Sequence, residues 1–370
     1  MSKRIAFIFT GGRKIKLPDI RSGSSPEDFF YGALELQRRG YDIDFLEDAD
    51  FNSVKLSLWK RIKNRIPVNY RLFDETAIER FHSKKALQRL NQYDILITTN
   101  NSDGLALAYL KKQKNLRSSI IFLSMCPIKP PDSWVKKRRM EIYLNEMIWG
   151  VENTHEIDFL KHLYPSKKMQ IHYIPFGVDE TFWKPGRNVA NPPYVLSMGN
   201  DSGRDFNTLI NAWKPEYPTL KLITRRPLPP LPQNIEHIQG DWAKQYLTDE
   251  AIRTAIQESL FVIIPVKETL LASGPSVAMQ TMACQKALII NKTKGLWAPH
   301  LLQDGVNCLL PDLREPNAFA QSIESLLNDE SFRDTIAQGG RTLFLEHFTV
   351  SSIADRLEKL LPLVDTKTAS

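Results

Sequence analysis

The side chains best suited to chemistry lie in the second half of the chain, in two short loops that each follow an apolar run. After YVLSM at 194–198 comes GNDSGRDFNTLINAW. There Gly199 and Gly203 permit a tight turn, Asp205 can cap the helix that follows, and Arg204 stands at the tip of the turn. A guanidinium in that place can clamp a diphosphate through two parallel hydrogen bonds, so the loop from Gly199 and Asn200 to Arg204 has the make-up of a phosphate cradle. The run LKLIT at 220–224 ends in Arg225 and Arg226, one of which is available to join Arg204. After FVIIPV at 261–266, the stretch KETLLASGPSVAMQTMACQKALII opens a helix at Ser273, Gly274 and Pro275. Ser just before a helix and Pro at its first turn are start signals. Gly274 admits a close approach to the backbone, and the free N–H groups of a helix start attract an anion. Gln280, roughly two turns in, suits ribose hydroxyls better than phosphate. Taken singly, these are an exposed loop arginine and an ordinary capped helix; taken together they describe a diphosphate site.

The elements that must carry these loops follow from the apolar pattern. A chain of 370 residues with 42% hydrophobic and 25% charged content is too long for one ordinary core and too apolar for disorder, which predicts two domains. IAFIF at 5–9, an amphipathic stretch at about 26–39 and YDIDFL at 41–46 read as a βαβ opening. YDILITT at 93–99, a helix over 103–113 and SIIFLSM at 119–125 repeat it. A stretch dense in Pro and Gly at 174–193 marks the boundary, after which the same grammar restarts. Strands at 194–198, 220–224, 261–266 and 286–291 alternate with helices at 205–213, 248–258 and 275–284. The expected organisation is a first α/β domain over 1–176, a linker over 177–193, a second α/β domain over 194–347, and a terminal helical segment over 348–370 that packs back on the first domain. Two consecutive α/β sheets place a ligand in the cleft between them, at the carboxyl ends of the strands.

Charge is uneven. Residues 1–183 hold 30 Lys and Arg against 22 Asp and Glu, whereas 184–370 hold 19 against 20. Basic clusters at Lys60, Arg61, Lys63, Arg65 and at Lys136, Lys137, Arg138, Arg139 suit either solvated helix faces or anionic lipid head groups. Leu56, Leu58, Trp59, Ile62 and Ile66 interleave with the first cluster as the apolar face of an interfacial helix. No nucleic-acid module is recognisable. No apolar run approaches the length that spans a bilayer, so any membrane contact is peripheral. Cys126, Cys284 and Cys308 sit singly in apolar runs, which favours buried free thiols in a reducing cytoplasm over a disulfide framework or zinc site. The pairs Asp42/Asp44 and Asp48/Asp50 have a spacing that can hold a divalent metal, but the first lies within a strand and the second ends one, so no metal site is expected.

The order of these segments resembles the large retaining glycosyltransferase family, family 4-like, that includes sucrose synthase and many bacterial lipopolysaccharide and glycolipid transferases. IPFGVDETFWKP at 174–185 is similar to its interdomain signature, SMGNDSGRDFNTLINAW to its first donor-domain loop and helix, and MQTMACQKALIINKTKGLWAPHLLQDGVNCLLPD at 279–312 to its donor helix and following segments. The resemblance implies a GT-B fold, two Rossmann-like domains facing across a cleft. It also implies metal-independent transfer of a sugar from a nucleotide diphosphate to an acceptor with retention, in polysaccharide, lipopolysaccharide or glycolipid synthesis. Arg204, Arg225 or Arg226, and the helix start at 274 would stabilise the departing diphosphate. Gly11, Gly12 and Arg13 would form the acceptor-side loop. The family usually carries two glutamates eight positions apart where this chain has Ala272 and Gln280; Glu268, at the strand end, is the carboxylate available to replace the first. A sugar-nucleotide epimerase of the same fold, or a degenerate nucleotide-sugar-binding scaffold, are the alternatives. The expected partners are a nucleotide sugar and a glycan or lipid-linked acceptor, with no nucleic acid and no cofactor. The expected location is the cytoplasm or the inner face of its membrane.

Overall fold

The computed structural model describes residues 3–51, 58–65, 75–124, 133–166, 168–186, 188–240, 247–269, 272–315 and 317–366. The chain forms two compact units. The first comprises Met1–Pro18, Phe29–Pro175 and Ile353–Ser370, and the second Asp19–Asp28 and Phe176–Ser352.

In the first unit, strands β1 (Arg4–Phe9), β2 (Asp42–Glu47), β3 (Ile95–Thr98), β4 (Ser119–Ser124), β5 (Ile148–Val151) and β6 (Gln170–Tyr173) form one sheet in the order β2-β1-β3-β4-β5-β6. Every neighbouring pair is parallel. Ile5–Phe9 and Ile95–Thr98 are buried throughout, as expected of parallel strands covered on both faces. The strand order reverses between β1 and β3, so the loops after those strands flank this sheet's switch point. The amphipathic stretch at 26–39 is α-helical only over Ala33–Arg38, after a short 3-10 turn at Asp28–Phe30, because Tyr31 and Gly32 both adopt positive φ and Asp19–Asp28 belongs to the other unit. The helix Val350–Leu360 returns the chain to the first unit, where Arg39 Nη1 meets Asp355 at 2.6 Å and Glu358 at 2.9 Å.

The second unit is a five-stranded parallel sheet in the order β11-β10-β7-β8-β9. Its strands are β7 (Tyr194–Met198), β8 (Thr219–Thr224), β9 (Ile235–Gln239), β10 (Phe261–Ile264) and β11 (Ala287–Ile290). The reversal here lies between β7 and β10, and the helices Phe206–Ala212 and Pro275–Ala283 begin just beyond those two strands. The segment 177–193 is part of this unit: Phe182 and Trp183 are buried in it. Asp19–Asp28 is held to the same unit by Ser25 Oγ donating to Asp249 at 2.7 Å, Glu27 N to Asp179 at 3.3 Å, and Trp183 Nε1 to Asp28 at 2.9 Å. Cys284 and Cys308 are buried free thiols, both pushed up to about 12 by burial; Cys126 lies outside the described residues.

Glu152, buried just after β5, and Glu156, half-buried in the helix Thr154–Leu163, make the first unit sensitive to pH. Burial, with Glu156 nearby, pushes Glu152 from 4.5 up to about 8, and burial pushes Glu156 up to about 7. Both bind a proton more tightly when folded, so their contribution is full below their unfolded values and is lost as pH rises through the folded ones. The thermal midpoint should therefore fall between about pH 5 and about pH 8, and Glu152→Gln should flatten that slope. Circular-dichroism melts across the range check this; an unchanged slope in the variant contradicts it.

Candidate functional site

The site grows from the two loops at the switch point of the second sheet. The loop after β7 and the loop after β10 are joined by a bridge between Arg204 and Val266, by Asp205 N donating to Pro265 O at 3.0 Å, and by Lys267 N donating to Gly203 O at 2.8 Å. Arg204 does not stand at an exposed tip, as its place in the turn suggested. Its side chain is 2% exposed, and its guanidinium is folded between Gly199 and Gly274. Both glycines have positive φ, 144° and 85°, and a Cβ on Gly274 would lie 2.5 Å from Arg204 Nη1. Arg204 thus fills the space that a side chain at Gly274 would take.

Arg204 is incompletely paired. Nε lies 3.1 Å from Asp201 Oδ2, an ion pair whose geometry is not that of a hydrogen bond, and neither Nε nor Nη1 has a hydrogen-bond partner among the described residues. Burial pulls the guanidinium below its ordinary pKa, with Asp201 opposing, yet arginine stays charged in proteins. Asp201, not among the candidate residues above, also accepts from Ser273 Oγ at 2.5 Å and from Gly203 N at 3.1 Å. The helix Pro275–Ala283 starts beside this cation, with Gly274 as its cap and Pro275 in its first turn. A buried, always-charged fork at a helix start is a binding place for an anion of two or more oxygens.

The other residues that the sequence singles out have the following partners. Asn200 is a staple: its Nδ2 donates to Gly240 O at 2.6 Å, and its Oδ1 accepts from Arg225 N at 2.8 Å and Thr224 Oγ1 at 3.2 Å. It ties together the loops after β7, β8 and β9, where the sequence had suggested a direct ligand contact. Arg226 Nη1 donates to Asp201 O at 3.2 Å, whereas Arg225 is exposed at the end of β8. Gln280 is buried and donates from Nε2 to Asp28 Oδ2 at 3.3 Å. Asp28 is pushed up to about 7, by burial above all, against hydrogen bonds from Asp179 N, Trp183 and Gln280. Glu268 is exposed, and its partner is the Lys294 amide at 3.2 Å; no contact joins it to Arg204 among the described residues.

In the first unit, Gly11 and Gly12 are exposed after β1. Arg13 is committed elsewhere: its guanidinium lies 5.2 Å from the Phe9 and Tyr31 rings and 5.4 Å from Phe29, and it donates to Phe29 O. Asp42 and Asp44 pair with Arg4, and Asp50 with Lys14 and Arg89, so these carboxylates are structural. No group of three or more His, Cys, Asp or Glu side chains is placed to hold a metal among the described residues. Of the basic stretches, Leu58–Arg65 is helical with Leu58, Trp59 and Ile62 exposed, and Trp134–Leu144 is helical with Trp134 and Val135 exposed. Leu56 and Ile66 lie outside the described residues. No described helix is long and apolar enough to cross a membrane.

No protein-family profile matches the chain. It is similar to an uncharacterized glycosyltransferase of Methanocaldococcus jannaschii, 27% identical over 108 residues, which are 29% of this chain and 28% of that one. It is also similar to alpha-maltose-1-phosphate synthase of Mycolicibacterium smegmatis, 22% identical over 256 residues, 60% of this chain and 64% of that one. The chain therefore spans 28% and 64% of the lengths of these curated relatives. Among solved structures, sucrose-phosphate synthase from Thermosynechococcus elongatus superposes with a TM-score of 0.68 at 17% identity, covering 100% of both chains. Anabaena HepE in complex with UDP-glucose gives 0.62 at 14% identity, covering 97% of this chain and 99% of that one. The likeness establishes the fold as that of GT-B glycosyltransferases, built on two Rossmann-like sheets.

The buried cation generates a stability prediction. Replacing Arg204 by Met removes an incompletely paired charge, so the ligand-free variant should melt no lower than the wild type, whereas Gly274→Ala, which forces a Cβ onto the guanidinium at positive φ, should lower the melt by several degrees. Pyrophosphate should raise the wild-type melting temperature and leave that of Arg204→Met unchanged. Equal stabilisation of both by pyrophosphate would contradict an anion site at Arg204.

Proposed function

We propose that the protein is a glycosyltransferase that takes its sugar from a nucleotide diphosphate donor held in the second unit. The observation that carries this reading is the buried, incompletely paired Arg204 between Gly199 and Gly274, beside a helix start at the switch point of a Rossmann-like sheet. In the transfer, the sugar gains positive character while negative charge collects on the departing diphosphate; a preorganised guanidinium and helix start stabilise that charge without reorganising. The reaction proceeds with retention and without a metal, and the diphosphate's charge is balanced by Arg204 with Arg225 or Arg226. The neighbour solved with UDP-glucose supports a nucleotide sugar as donor. The acceptor, a glycan or a lipid-linked one, is served by the exposed Gly11–Gly12 loop after β1. Exposed Trp59, Leu58 and Ile62, interleaved with Arg61, and exposed Trp134 and Val135 beside Lys136 and Lys137, support peripheral attachment to an anionic membrane, and with it work at the inner face of the cytoplasmic membrane.

Calorimetric titration of UDP, GDP and ADP without added metal tests the donor site. One nucleotide should bind, and Arg204→Lys, which loses the planar fork, should weaken it at least tenfold. Slow hydrolysis of the matching nucleotide sugar accompanies binding in a transferase; binding without turnover marks the degenerate scaffold that Ala272 favours, and epimer formation without acceptor marks the epimerase. Failure of all three nucleotides to bind would sink the donor-site reading. Membrane attachment has its own check: the protein should float with vesicles containing phosphatidylserine and not with neutral ones, and the double variant Trp59→Glu/Trp134→Glu should stay in solution. Flotation unaffected by those changes would count against these two helices.

A further inference from the structure

Asp201 supplies the carboxylate that faces the buried guanidinium, with Oδ2 3.1 Å from Arg204 Nε. Its other oxygen is tied down: Oδ1 accepts from Ser273 Oγ at 2.5 Å and from Gly203 N at 3.1 Å. The turn is shaped to these contacts, since a Cβ on Gly203 would lie 2.7 Å from Ser273 Oγ and 3.1 Å from Asp201 Oδ1. Arg226 donates to the Asp201 carbonyl at 3.2 Å, which leaves the carboxylate to Arg204. The two partners differ in access, the Asp201 side chain being 43% exposed and that of Arg204 2%. An anion drawn to Arg204 therefore meets the charge of Asp201 as well. Because the pair lacks hydrogen-bond geometry, it balances charge while the N–H groups at Nε and Nη1 keep their capacity to donate.

Resting on the reading of this unit as a nucleotide-sugar site, we propose that Asp201 is a tethered counter-anion that competes with a ligand's phosphate for Arg204, and so limits how tightly the released nucleoside diphosphate is held. In ligand-free protein it offsets a charge that arginine cannot shed. A diphosphate at Arg204 brings a second negative group beside the first, and the carboxylate, tied through Ser273 and Gly203, stays next to it. Near neutral pH a free nucleoside diphosphate carries about one negative charge more than the same diphosphate esterified to a sugar. The carboxylate thus opposes the product more than the donor, and its repulsion favours release after transfer.

The test is calorimetric titration of pyrophosphate, of UDP, GDP and ADP, and of the parent nucleosides into the wild type and Asp201→Asn. Asparagine keeps the size of the side chain and an oxygen for Ser273 and Gly203 while removing the charge. The variant should bind pyrophosphate and the accepted nucleoside diphosphate about tenfold more tightly than the wild type does. That gain should shrink as salt is raised, and the uncharged nucleoside should show none. A merely structural residue behaves otherwise, its loss weakening the anions or leaving them unchanged; either result overturns the proposal, as does an equal gain for the nucleoside. If Asp201→Asn does not fold, Asp201→Asn/Arg204→Met decides: with both charges removed it should fold, and a double variant that stays unfolded overturns the proposal. Tighter pyrophosphate with no nucleotide bound by either protein supports the counter-anion and refutes the donor-site reading. Nucleotide binding that Asp201→Asn does not tighten does the reverse, and protein that binds neither pyrophosphate nor nucleotide in either form overturns both.

Discussion

Much of the second unit's local structure is subordinate to burying one guanidinium. An arginine cannot shed its charge to escape a low-dielectric setting, and an uncompensated buried ion costs on the order of several kcal/mol. The surrounding residues reduce that cost without removing it. Gly199 and Gly274 give up their side chains to make room, Asp201 supplies a partner on one side, and the bridge to Val266 holds the two loops at the spacing the guanidinium requires. What remains unsatisfied at Nε and Nη1 is capacity for an anion, in the place where a Rossmann-like sheet opens between two diverging strands. A donor group held in place in this way needs no reorganisation to meet an anion.

Around that cation the structure devotes polar side chains to holding loops. Asn200 uses both ends of its amide to pin the loops after β8 and β9, and Arg226 pins the turn at Asp201. Asp28 does the same for Gln280 from a segment that sequence order assigns to the first unit. Each of these side chains joins loops that follow different strands or segments of the second unit.

The legible part of the fold was the part with a strong apolar signal. Continuous runs such as IAFIF, ILIT and FVII are buried on both faces and announce central parallel strands, and the restart at 194 locates the second sheet. Strands β6 and β9, QIHY and IEHIQ, lie at sheet edges, the first half-buried and the second largely exposed, both mixed in polarity, and carry no such signal. In the site, Arg204, Ser273 and Gly274 could be read from local spacing because turn and cap chemistry is local. The inward turn of Arg204, the stapling by Asn200, the engagement of Arg13 with three aromatic rings and the pairing of Asp28 with Gln280 depend on residues brought together only by the tertiary fold. Asp201 was nearer to reach, since a carboxylate three positions before an arginine in a tight turn invites pairing. Glu268 shows the converse: a carboxylate at the expected strand end whose hydrogen bond goes to a backbone amide on another loop.

The most direct test of the central claim is a crystal structure of the protein with the nucleoside diphosphate that it binds. The account predicts diphosphate oxygens within about 3 Å of Arg204 Nε or Nη1, beside the start of the Pro275–Ala283 helix. A diphosphate bound away from Arg204, with the guanidinium still paired only to Asp201, would contradict it.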